Sequence, residues 1–172
     1  MVLHRNALEN KGPLVAKSFL IALALAGALG SSGEGKDIYN PHADARADIS
    51  TAVAKAKQEG KNVLIQVGGN WCKWCLRLEK LMRSDEEVGK LLDQFVYIHV
   101  NYSDENKNPE VLAELGYPQR FGFPVLLVLD AQGKLVHTQD SAFLEKGNGH
   151  DPKMVARFLE AWTPKALQNP GY

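Results

Sequence analysis

The sequence has no excess of either charge: 20 basic residues balance 20 acidic ones over 172 positions. Nothing in it therefore points to nucleic acid, and contact with a membrane is expected only if its N-terminal segment is retained. Cysteine is nearly absent. Two residues, Cys72 and Cys75, are too few for the disulfide framework of a small secreted domain. A bridge closing so short a loop also removes little chain entropy, so a purely stabilising role explains the pair poorly. The five histidines are scattered, and none has the paired spacing of a ligand set. A closed zinc site wants four ligands, so neither a metal nor another cofactor is expected. Internal repeats are missing as well. The uncharged apolar run Phe19–Leu29 falls short of the roughly 20 residues that a spanning helix needs.

What is present begins with the order of the N-terminus. Arg5, Lys11 and Lys17 precede that apolar run, and the small residues Ala28, Gly30, Ser31 and Ser32 surround its end. Basic, apolar and small segments in this order are the pattern of a secretory signal. The expected organisation is a signal peptide over 1–30, a polar glycine-containing leader over 31–43 and one domain over 44–172. The protein is expected to be exported, with the periplasm favoured over an extracellular or membrane-anchored location. Residues 1–30 hold three basic and one acidic residue, so 17 basic and 19 acidic residues remain after cleavage. That chain is long enough for one hydrophobic core.

Periodicity predicts the elements of the domain. A helix over Asp44–Gly60 precedes a doubly buried strand, Asn62–Val67, which Gly68-Gly69-Asn70 breaks. A helix then starts at the cysteines and runs to about Met82. Ser84 to Glu87 reads as a capping box for a short helix through Leu92. Phe95–Val100 is a second strand, and Asn108-Pro109 reads as an N-cap and first turn of a helix ending at Gly116. Pro124–Leu129 and Lys134–Thr138 form a hairpin about Asp130–Gly133. A polar loop over 139–150 leads to a final helix from Asp151-Pro152, limited by Pro164. Its buried side is expected to carry Met154, Val155, Phe158, Leu159 and Trp162. Alternating strands and helices favour parallel pairing of the first two strands. The expected fold is α/β: a mixed, mainly four-stranded sheet with helices on both faces.

Within Trp71-Cys72-Lys73-Trp74-Cys75, the first cysteine follows a strand and a glycine break, which places it at a helix N-terminus. Free N–H groups and the helix dipole stabilise an anion there, and Lys73 pushes the same way. The Cys72 thiol should thus ionise below the free value of about 8.5. Cys75, one turn further in, should be more buried and less ionised. That asymmetry suits an exchange in which the Cys72 thiolate attacks a partner disulfide and Cys75 resolves the mixed disulfide. A lone CxxC is a weak signal, but one set between a buried strand and a helix is strong. Trp71 and Trp74 flank the pair and can shape a docking surface for extended peptide. Phe123-Pro124 opens the third strand, where a proline cannot donate to the ladder.

Three stretches together resemble the thioredoxin superfamily: Trp71–Cys75, Phe121–Asp130 and Gly133–Val136. The similarity covers roughly residues 44–163 and is nearest to exported bacterial thioredoxin-like proteins with a Trp-Cys-x-Trp-Cys centre. The resemblance implies that Cys72 is the nucleophile and Cys75 the resolver. It further implies that Pro124 is cis and faces the pair, and that Phe123 binds substrate backbone. Three departures from the thioredoxin pattern follow. Lys73-Trp74 stands where thioredoxin has Gly-Pro, and this dipeptide tunes the redox potential. Gln66 stands where thioredoxin has a buried aspartate, and an amide cannot act as a base for Cys75. Phe123 is bulkier than the usual Thr or Ile, implying a narrower or more apolar groove.

The expected function is therefore thiol–disulfide oxidoreductase activity on disulfides of exported proteins or peptides, with a separate redox partner. Reduction or isomerisation is favoured over oxidation. The rival readings are a thioredoxin-fold chaperone or adaptor whose CxxC is secondary, with Phe143 and Leu144 as contact residues, and a metal-handling protein.

Overall fold

The computed structural model describes residues 37–169. The expected signal peptide and the first part of the leader lie outside the described residues. From the N-terminal side, α1 (Ala45–Glu59), β1 (Asn62–Gly68), α2 (Lys73–Ser84), α3 (Glu86–Leu92) and β2 (Phe95–Asn101) follow one another. Next come α4 (Pro109–Glu114), a 3-10 turn (Pro118–Phe121), β3 (Val125–Leu129) and β4 (Leu135–Asp140). A second 3-10 turn (Ser141–Leu144), the two-residue strands β5 (Glu145–Lys146) and β6 (Gly149–His150), α5 (Pro152–Ala161) and α6 (Pro164–Gln168) complete the described chain.

The main sheet has four strands in the order β2-β1-β3-β4. β1 runs parallel to β2 and antiparallel to β3, and β3 and β4 form the expected hairpin. All seven residues of β1 and all five of β3 are buried, because both central strands are covered on both faces. Side-chain alternation divides the core in two. Leu64, Leu126 and Val128 pack with Leu78, Met82, Val88, Val155 and Leu159 beneath α2, α3 and α5. Val63, Ile65, Val125 and Leu127 pack with Ala52, Ala56 and Leu112 beneath α1 and α4. Gln66 interrupts this apolar pattern at the centre of the sheet.

Local details depart from the sequence expectations at five points. Asp85, not Ser84, caps α3: its carboxylate accepts from the Val88 N–H at 3.0 Å, while Ser84 completes α2. Asn108 precedes α4 in a left-handed conformation and makes no side-chain cap, because its Nδ2 donates to the Asn101 carbonyl at 2.7 Å. The stretch 139–150 is not an open loop: the end of β4, a 3-10 turn and the β5–β6 hairpin occupy it. Met154 is 45% exposed and lies outside the buried stripe of α5. Beyond Pro164 the chain continues as α6, where Thr163 accepts from the Ala166 N–H at 3.2 Å. At Asp85, Asn108 and Thr163 a local polar group, rather than the apolar period, decides the outcome.

Candidate active site

The turn between β1 and α2 brings the two cysteines together. Cys72 is extended, at φ −88° and ψ 100°, and occupies the N-cap position of α2. Its N–H is held by the Gly69 carbonyl at 2.9 Å, and its carbonyl accepts the first helical bond from Leu76 at 3.2 Å. Its sulfur caps the helix: the Cys75 N–H donates to Cys72 Sγ at 3.1 Å. Cys72 and Cys75 are joined as a disulfide. Cys75 is fully buried, and Cys72 is 5% exposed. Cys72 is thus the more exposed residue of the two, but far less open than its place at a helix terminus implies. Tyr39, Trp74 and Phe123 pack around the pair and account for the difference.

Gly68 and Gly69 make this turn possible. A Cβ on Gly68 would lie 2.5 Å from Cys75 Sγ and 2.7 Å from the Tyr39 hydroxyl, and one on Gly69 would lie 2.8 Å from the Tyr102 carbonyl. Neither position has room for a side chain.

The Phe123–Pro124 peptide bond is cis. Pro124 is buried, while Phe123 is half-buried against the cysteine cluster. Trp71 stands beside Phe123 at 57% exposure, its ring edge-on to Phe123 with centroids 5.6 Å apart. The Trp71 Nε1–H donates to the Tyr102 carbonyl at 2.8 Å, and Tyr102 in turn packs on Phe123 at 4.7 Å. Trp71, Tyr102 and Phe123 therefore form one fixed aromatic wall next to the disulfide.

Trp74 faces the other way. Its ring meets His150 edge-on at 5.6 Å, and the Arg77 guanidinium lies 5.1 Å from its centroid. Lys73 is exposed at the start of the helix.

Beneath the cysteines lies a buried polar layer. Gln66 Nε2 donates to the Tyr39 hydroxyl oxygen at 2.6 Å and to the Cys75 carbonyl at 3.3 Å. Gln66 Oε1 lies 2.8 Å from the Tyr97 hydroxyl oxygen, whose single proton it shares with Glu79. That hydroxyl also reaches Glu79 Oε2 at 2.9 Å, and Glu79 is joined to His99 at 3.1 Å and to Arg83 at 2.8 Å. Burial opposes the charge on Glu79, but hydrogen bonds from His99, Arg83 and Tyr97 outweigh it and draw its pKa down to about 2. Tyr39 is 2% exposed, and burial holds its hydroxyl well above the ordinary value.

The model of the thioredoxin-like family matches residues 44–131, just over half of the chain. The chain belongs to the thioredoxin-like family. Among curated relatives, the thiol:disulfide interchange protein DsbD of Salmonella typhi is 33% identical over 87 residues. That match covers 51% of this chain but only 15% of the relative's length. The DsbD of Colwellia psychrerythraea is 28% identical over 102 residues, again a small part of that protein at 16%. A solved structure described as a disulphide isomerase from Xylella fastidiosa Temecula1 has a TM-score of 0.63 and 26% identity. It is matched over 71% of this chain and 93% of its own. A structure described as DsbH oxidoreductase shares the fold, with a TM-score of 0.50 at 22% identity.

Of the expected site residues, Cys72 and Cys75 are bonded, Trp74 and Phe123 pack against them, Trp71 meets Phe123, Gln66 reaches the Cys75 carbonyl, and Pro124 follows Phe123 through the cis bond. Phe143 is 77% exposed, but its neighbour Leu144 is buried in the core and is not available for contact. Sequence reading missed Tyr39, which falls within the expected leader. It is tied down by Asn70, whose Oδ1 accepts from the Ile38 and Tyr39 N–H groups at 3.0 Å and whose Nδ2 donates to the Tyr39 carbonyl at 2.8 Å. It also missed Tyr97, Glu79 and His99 as one network, and His150 as the neighbour of Trp74. Of these, only the alternation that turns Tyr97 and His99 to one face of β2 was a signal. The remaining contacts span at least 18 residues in sequence.

Proposed function

We propose that this chain is an exported thiol–disulfide oxidoreductase whose Cys72–Cys75 dithiol reduces or rearranges disulfides in other exported proteins or peptides. The carrying observation is the cap at the start of α2, where the Cys75 N–H donates to Cys72 Sγ at 3.1 Å. After reduction the same N–H faces a thiolate, and a charged acceptor at a helix N-terminus gains from both the hydrogen bond and the dipole. Cys72 is then the attacking group. Cys75, with no exposed surface, becomes the resolver. Lys73, exposed at the first helical position, adds to the positive potential, and Gln66 tunes the resolving thiol through the groups it holds.

The substrate groove in this reading runs between the Trp71–Phe123 wall and Pro124. An extended peptide laid there brings its disulfide to Cys72 Sγ, and the aromatic wall favours apolar side chains next to that disulfide. Membership of the thioredoxin-like family and similarity to a disulphide isomerase support reduction or isomerisation. The basic-then-apolar order of residues 1–30 supports export to the periplasm, and the Trp-Cys-Lys-Trp-Cys centre supports a place among the exported members of the family.

Insulin disulfide reduction by the full chain with dithiothreitol as reductant tests this function. The unsubstituted protein should accelerate it and Cys72→Ser should lose the acceleration; full activity in Cys72→Ser would overturn the reading.

A further inference from the structure

A resolving thiol that is fully buried must still become a thiolate to attack, and burial alone opposes that ionisation. No carboxylate stands at residue 66 to assist it. The Tyr39 hydroxyl stands close by instead. Its oxygen already accepts from Gln66 Nε2 at 2.6 Å, which leaves its own proton for donation elsewhere. Gln66 cannot take that proton by flipping its amide. A flip would set Oε1 against the Cys75 carbonyl, where Nε2 now donates at 3.3 Å. The hydroxyl and the buried sulfur flank the same space over Gly68: a Cβ there would be 2.5 Å from Cys75 Sγ and 2.7 Å from the Tyr39 oxygen. Tyr39 packs with both cysteines and is held by the three backbone bonds to Asn70.

We propose that Tyr39 activates the resolving cysteine by donating its hydroxyl proton as a hydrogen bond to Cys75 Sγ in the reduced protein, with Gln66 fixing the direction of that bond. The proposal rests on thiol–disulfide exchange at Cys72–Cys75 as set out above. In the resolving step Cys75 attacks Cys72 Sγ of the mixed disulfide. The Cys72–Cys75 bond forms, the bond from Cys72 to the partner sulfur breaks, and the electron pair leaves on the partner. The proton lost from Cys75 ends on the departing thiol, so the pair is oxidised and the partner reduced by two electrons. Tyr39 keeps its proton throughout. Burial holds its hydroxyl protonated across the working range, so it serves as a donor and not as a base.

The test follows the mixed disulfide between Cys72 and glutathione, formed by mixing the reduced full chain with oxidised glutathione, and its resolution as a function of pH. Hydrogen bonds to charged groups predict that Tyr39→Phe resolves roughly tenfold or more slowly at pH 7. Its half-maximal rate should lie about one pH unit higher, with capture by Cys72 unchanged. A merely structural role for Tyr39 would leave that pH midpoint in place, and an unchanged rate and midpoint overturn the proposal. In the unsubstituted protein, the Cζ resonance of Tyr39 labelled with carbon-13 should move with the ionisation of Cys75; a resonance that ignores it also overturns the proposal. If the unsubstituted chain does not exchange with oxidised glutathione at all, the oxidoreductase reading falls and takes the Tyr39 proposal with it. If it exchanges and Tyr39→Phe matches it, only the Tyr39 proposal falls.

Discussion

The Cys75 N–H donates to Cys72 Sγ, so one cysteine caps the helix that carries the other. In the proposed reading this bond, with the deeper burial of Cys75, makes the two thiols unequal once the disulfide is reduced. It predicts different consequences for their replacement. Cys72→Ser should abolish exchange. Cys75→Ser should keep the capture step and accumulate a stable mixed disulfide, because nothing remains to resolve it. Non-reducing electrophoresis after incubation with a disulfide-containing peptide reads both outcomes.

Gly68 separates Cys75 Sγ from the Tyr39 hydroxyl, and the space there is smaller than a methyl group. Gly68→Ala is expected to lower stability by about 2 kcal/mol through overpacking. It should also slow resolution, since either Tyr39 or the sulfur must move away. Urea denaturation of the oxidised form, together with the decay of the mixed disulfide, measures the two effects.

The aromatic wall should act on substrate more than on folding. Trp71 is 57% exposed and makes one hydrogen bond, to the Tyr102 carbonyl. Trp71→Ala is expected to raise KM several-fold for a peptide with apolar residues beside its disulfide, with little change in Tm. Phe123→Thr should widen the groove and narrow the difference between apolar and polar peptides. Steady-state kinetics on a matched peptide pair tests both.

Much of this architecture is legible in the sequence because it follows from local rules. The continuous apolar run of β1, the glycine break and the helix that starts at Cys72 each have a short-range cause. The same holds for the Asp130–Gly133 turn, where the Asp130 carboxylate accepts from the Gln132 and Lys134 N–H groups at 2.9 Å. Residues 44–131, matched by the family model, contain most of these signals. What was not legible depends on contacts between distant segments. Tyr39 reads as part of a polar leader until Asn70 fastens it, and nothing near Glu79 in sequence signals its bonds to Tyr97 and His99 of β2. The cap of α3 turns on the same kind of choice on a smaller scale, between Ser84 and Asp85. Two candidate polar groups lay side by side, and only the folded backbone decides which one turns inward.

His150 gives a prediction about acid. It is 9% exposed, packs on Trp74, and neither ring nitrogen has a hydrogen-bond partner among the described residues. Burial, with Arg77 nearby, lowers its pKa to about 4. The folded state therefore favours the neutral ring, and the unfolded chain binds the extra proton between about pH 6.5 and 4. Stability should be full above that window and fall by roughly 2 kcal/mol on going from pH 7 to 4.5. His150→Phe should flatten this fall. Urea midpoints of both proteins at the two pH values test it.

Glu79 acts in a lower window. Its pKa is drawn down to about 2 in the folded protein, so its contribution is present above the ordinary carboxylate range and is lost as pH falls toward 2. Glu79→Gln removes charge-assisted bonds to His99 and Arg83. It is expected to cost about 1–3 kcal/mol at neutral pH, and the difference from the unsubstituted protein should shrink below about pH 4. Because this window lies below that of His150, the two substitutions separate the two acid limbs.

The central claim is that Cys72 is the activated sulfur and Cys75 the protected one. Iodoacetamide alkylation of the reduced full chain across pH, with peptide mass mapping of the labelled cysteine, tests it most directly. The account predicts that Cys72 is labelled first, with a midpoint well below the free-thiol value of about 8.5, while Cys75 stays unlabelled until much higher pH. Labelling of Cys75 first, or a Cys72 midpoint at or above the free-thiol value, would contradict it.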